Sequence, residues 1–85
     1  MNTQNDKLRE RISVAAYYLS KRNYTYDKLC WMLAERQLIV DKDPNYNSEK
    51  RKREKAAEIY FQGLNYDLLA WLIAELDILM KKGKT

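Results

Sequence analysis

The sequence predicts an all-α domain: four helices, arranged as two tandem, related helical hairpins in a bundle. Three observations predict it. Residues 26–40, YDKLCWMLAERQLIV, return at 66–80 as YDLLAWLIAELDILM, with six positions identical and six more exchanging one apolar or small residue for another. Apolar residues recur at helical spacing in every segment. Two Gly and one Pro are too few for a turn-rich β fold.

The first helix is expected from an N-cap at Asn5 or Asp6 to about Arg22. Leu8, Ile12, Ala15, Ala16 and Leu19 lie on one of its faces. The second runs from an N-cap at Thr25 to about Val40, with Asp27 in its first turn favoured by the helix dipole. Residues 41–47, DKDPNYN, form the longest loop. Ser48 caps the third helix, and Gly63 ends it. Asn65 caps the fourth, which runs to about Lys82, with Gly83 closing it. Upstream of the repeat, AAYYL and AAEIY correspond with a slip of about one residue. Short turns predict that sequence neighbours pack as antiparallel pairs, with Tyr26 and Tyr66 plugging the turns.

The fourth helix carries two apolar faces: a broad one through Leu68, Leu69, Leu72, Ile73, Leu76, Leu79 and Met80, and a minor one through Trp71 and Ile78. The second repeats this with Leu29, Met32, Leu33, Ile39 and Val40 against Trp31 and Leu38. A helix with two apolar faces packs against two neighbours. Lys28 and Arg36 stand where the fourth helix has Leu68 and Leu76. The fourth helix is therefore expected to be the more deeply buried, as the central helix or in a homodimer interface. The third helix has only Ala56, Ile59 and Tyr60 to bury. Its first two turns must project into solvent or lie on something charged.

Eighty-five residues make a single domain over 1–85, near the lower size limit for independent stability, so self-association as a dimer is expected. One Cys allows no disulfide within the chain. No apolar run suits a membrane span and no leader pattern opens the chain, so a cytoplasmic protein without membrane contact is expected.

Catalytic chemistry has little material. The chain has no His, which removes the usual base and the usual zinc ligand sets. Glu35 and Glu75 recur, but as helix-surface ion-pair partners. Asp27 and Asp67 sit in first turns. Cys30 is replaced by Ala70 in the second copy, as a packed small residue would be. No Gly-rich phosphate loop is present. The expectation is no enzyme, no cofactor and no metal.

Two surfaces stand out. In residues 49–55, EKRKREK, five of seven residues are cationic. Lys50, Arg51, Lys52, Arg53 and Lys55 could contact nucleic acid or an acidic partner. Seven tyrosines offer contact area at low entropic cost. Tyr18 lies with Val14 opposite the core stripe of the first helix, and Tyr24 lies in a turn. With Trp31, Trp71, Leu68 and Leu76 these form the candidate protein interface.

Ala16, Tyr17, Arg22, Asp27, Trp31, Ala34 and Glu35 form a pattern that returns as Tyr60, Gly63, Asp67, Trp71, Ala74 and Glu75. The pattern resembles a small bacterial helical-hairpin domain family of unknown function, although the first copy lacks the turn Gly. The resemblance implies a helical hairpin and supplies no activity. The Lys, Asn and Tyr bias is similar to that of AT-rich bacterial or phage genomes. The expected function is a small non-enzymatic protein–protein interaction module, an adaptor or an inhibitor of a larger protein, possible for a phage. The alternative is a nucleic-acid-binding regulator using the basic start of the third helix.

Overall fold

The computed structural model describes residues 3–82, with side chains described from Asp6 to Lys81. Among the described residues four helices form: α1 (Thr3–Lys21), α2 (Tyr26–Val40), α3 (Glu49–Gln62) and α4 (Tyr66–Lys82). The all-α class and the helix count are as the spacing predicts. Thr25 caps α2 by accepting from the Lys28 N–H at 3.1 Å. Ser48 accepts from the Arg51 N–H at 3.3 Å, and Asn65 from the Leu68 N–H at 2.7 Å. Gly63 ends α3 at φ 69°, and Asn23 occupies the matching turn position at φ 57°. Asn is one of the few residues that tolerate this left-handed geometry, which is how the first copy manages without the turn Gly. One boundary differs. Asn5 and Asp6 lie inside α1 rather than capping it, and Asp6 serves the first turn as a dipole-favoured carboxylate. Gly83 lies outside the described residues.

The helices do not pair as their connections suggest. α1 packs on α4, α4 on α2, and α2 on α3. Among the described residues, α1 and α2 do not run side by side, and neither do α3 and α4. Each repeat is splayed rather than closed as a hairpin, and all three helix–helix interfaces run between the repeats. The turns explain why. Tyr24, Tyr26, Leu64 and Tyr66 all pack against the central core, so the two turns meet in the middle of the molecule. The Tyr66 hydroxyl donates to the Tyr24 carbonyl at 2.6 Å, and the Tyr26 hydroxyl donates to the Leu64 carbonyl. Each repeated tyrosine therefore plugs the opposite turn, not its own. Each bond contributes about 1 kcal/mol, and the pair relates the repeats by a pseudo-two-fold axis.

The central core comprises Leu29, Cys30, Leu33 and Ala34 of α2, Ile59 of α3, and Leu69 and Ile73 of α4. A second cluster joins Ile12, Ala74 and Ile78, with Leu8, Ala15, Ala16 and Trp71 against it. The minor face of α4 thus carries α1 and its broad face meets α2, as two apolar faces require. The expected difference in depth between α4 and α2 is absent. Positions 21–38 and 61–78 carry the same succession of exposed, half-buried and buried residues throughout. Leu68, 39% exposed, is no deeper than the class of its counterpart Lys28. Arg36 does not extend into open solvent. Its Nε donates to Asp77 at 2.7 Å and its Nη1 to the Met32 carbonyl at 2.9 Å, so Asp77 compensates on α4 for the charge on α2.

The forty-residue offset also runs upstream without a slip. Ala16 matches Ala56, and Leu19 matches Ile59; all four pack against a core cluster. The row of helices is elongated. Its radius of gyration is 13.4 Å, against about 12 Å for a compact chain of this length.

The loop between α2 and α3 is held by one carboxylate. Asp43 accepts from the Asn45 N–H at 2.7 Å and from Arg51 Nε at 3.0 Å. These bonds, the backbone one first, hold its carboxyl below the usual carboxylate value. A lowered folded-state pKa stabilises the fold above the unfolded value of about 3.9 and loses that contribution as pH falls below it. Thermal melts between pH 2 and 6 should show Asp43→Asn reducing Tm at pH 6, with the gap to the parent closing towards pH 2.

Candidate protein-interaction surface

The basic run of α3 is largely spent within the chain. Arg51 pairs with Asp43 and lies 3.8 Å from both Glu54 and Glu58. Its guanidinium is raised above its ordinary value, chiefly by the bond to Asp43. Lys52 Nζ lies 3.4 Å from Glu35 on α2, and Lys55 Nζ 3.9 Å from Glu58. The early turns of α3 therefore do lie on something charged, and it is their own chain. Lys50 and Arg53 make no ion pair among the described residues. In the symmetric α1–α4 interface, Ile12 occupies the position of Lys52 and packs in an apolar cluster.

The seven residues expected at a protein interface do not converge on one patch. Val14 and Tyr18 are 54% and 64% exposed on α1. Tyr17 lies beside them with its ring edge-on to Tyr18 at 5.6 Å and Lys21 Nζ at 5.2 Å. Tyr24 and Leu76 pack against the central core. Trp71 is half-buried against α1, and Trp31 is also half-buried. Leu68 is the remaining exposed member.

The most prominent apolar group is one that the helical stripe does not reveal. Phe61 is 84% exposed. Its ring meets that of Tyr60 edge-on at 5.8 Å, and Tyr60 meets Tyr26 in the same manner at 5.5 Å. An aromatic ladder thus runs from the central turn to the surface. Beside it lies an open, mostly apolar groove between α2 and α3, lined by Cys30, Ala56, Ala57, Tyr60 and Phe61, with Asp27 and Arg53 at its edge. Burial, followed by the charge on Asp27, raises the Cys30 thiol, so it stays protonated and apolar at neutral pH. The Tyr26 hydroxyl is raised too, first by desolvation.

A signal for Phe61 exists in the sequence. At an offset of forty it faces Lys21, and Ala57 faces Tyr17. Those are departures of the same kind as Leu68 against Lys28. Pairing AAYYL with AAEIY, one residue out of the true register, conceals them.

Among the described residues, no polar or charged side chain is buried and no three Cys, Asp or Glu side chains gather as metal ligands. No helix there is long and apolar enough to cross a membrane.

No known protein family, curated protein or solved structure matches the chain.

A large apolar side chain in water beside an apolar groove favours covering by another surface.

Proposed function

We propose that the chain is a small non-enzymatic protein–protein interaction module, an adaptor or an inhibitor of a larger protein, with the α2–α3 groove as its contact face. The exposure of Phe61 at the end of the aromatic ladder carries this reading. Covering that side chain is worth about 1.5–3 kcal/mol, and the ladder keeps the wall of the groove pre-formed, which lowers the ordering cost of binding. The occupant that fits is an acidic amphipathic helix. Its apolar side chains would enter between Ala57 and Phe61. Its carboxylates would meet Arg53 and Lys50, the two cations of the run without an ion pair among the described residues. Asp27 at the edge disfavours a carboxylate there and so helps to set the direction of the docked segment.

Fluorescence anisotropy with two labelled amphipathic peptides tests this. They share one apolar face and carry Glu or Lys on the polar face. The Glu peptide should bind, and Phe61→Ser should weaken it at least tenfold, about 1.4 kcal/mol, while Val14→Ser leaves it unchanged. Equal binding of both peptides, or indifference to Phe61→Ser, would remove the groove as the site. Duplex DNA serves as the third probe. Tight binding with a log–log salt slope of roughly −4.5, as five neutralised phosphates require, would favour the nucleic-acid regulator acting through Lys50 to Lys55 instead.

A further inference from the structure

We infer that the two repeats are exchangeable between chains, so that two copies of this protein can close into one another's inter-repeat interfaces. The inference goes beyond the groove and does not depend on it. All three helix–helix interfaces join repeat 1 to repeat 2. The longer-range side-chain bonds do the same, from the reciprocal Tyr26 and Tyr66 contacts to Arg36–Asp77 and Lys52–Glu35. A chain opened at the loop after α2 exposes two half-interfaces, and each is complementary to the opposite half of another opened chain. Two such chains close into a two-fold dimer in which every one of these contacts is remade.

The closed monomer and the exchanged dimer then differ only in the loop and in the entropy of association. The tether supplies an effective concentration on the order of millimolar, so the monomer prevails in dilute solution while the loop can fold back. The loop folds back at a cost. Lys42, which is neither Gly nor Asn, adopts φ 57°, a left-handed geometry that opening releases. Asp43, through Asn45 and Arg51, opposes that release. Exchange requires the whole interface to part, so it occurs during folding and not between folded chains.

The test removes the fold-back. Replacing Asp41, Asp43, Pro44, Asn45, Asn47 and Ser48 together by Ala removes the breakers and caps, so α2 and α3 run on as one helix and α2 cannot reach its own α3. Sedimentation should show twice the monomer mass with helicity and a cooperative melt retained. In a mixture of isotope-labelled and unlabelled chains, the NOE from the Tyr66 ring to Tyr24 should connect different chains. A second variant, with ten Gly and Ser residues inserted after Asn45, should remain monomeric. The inference is overturned by a fused variant that melts cooperatively as a monomer, or by one with no cooperative melt at any concentration. It is equally overturned if the NOE stays within one chain, or if the lengthened variant dimerises as readily as the fused one.

Discussion

Cut between Pro44 and Asn45, the chain should yield two halves that are each unstructured alone and that regain helicity together when mixed. The expectation follows from where the packing lies. α1 meets α4 and α2 meets both α3 and α4, so neither half keeps a helix–helix interface once its counterpart is gone. Isolated helices of 14 to 19 residues are marginal in water without tertiary support. The α3 segment is the weakest, since five of its first seven residues are cationic and cations near a helix N-terminus oppose the dipole. Circular dichroism of each half, then of the mixture, decides the matter. A half that is stably helical alone would mean that local contacts, not the inter-repeat surface, hold the fold.

Leu33→Ala and Ile73→Ala should each cost about 2–5 kcal/mol, and by nearly the same amount. Both residues are fully buried in the central core, at equivalent positions on α2 and α4. For a domain of this size such a loss is a large share of the total stability, and Tm should fall by at least about 10 °C. The equality is the sharper part. Had α4 been the deeper helix, Ile73→Ala would cost clearly more. Urea melts of the two variants, compared at unchanged m-value, separate these outcomes.

The helices were readable because their signals are local. Thr25, Ser48 and Asn65 cap where short polar side chains before an apolar run should, and the doubled apolar faces of α2 and α4 require two neighbours each. The partners were not readable. Short turns at 22–25 and 63–65 are compatible with closed hairpins or with splayed helices, and only the tyrosine contacts across the axis, Tyr26 to Leu64 and Tyr66 to Tyr24, separate the two. Nothing in the spacing of a single Tyr announces a partner forty residues away. The polar continuation of the α3 stripe was legible as needing charge, but not that Glu35 and Asp43 supply it. Of the candidate interface, Val14 and Tyr18 were placed by the helical wheel. Phe61 was obscured because pairing AAYYL with AAEIY, one residue out of the true register, hides that its counterpart is Lys21.

The matched burial of the two repeats has a counting consequence. A two-fold arrangement ordinarily offers each face twice. Here the twin of Phe61 is Lys21 and the twin of Ala57 is Tyr17, so the aromatic groove occurs on one side only. Fusing the repeats into one chain allows one copy to diverge while its sibling preserves the shared interior. A partner seated on that groove would therefore meet it once per molecule, a one-to-one stoichiometry that an assembly of two identical repeats could not impose.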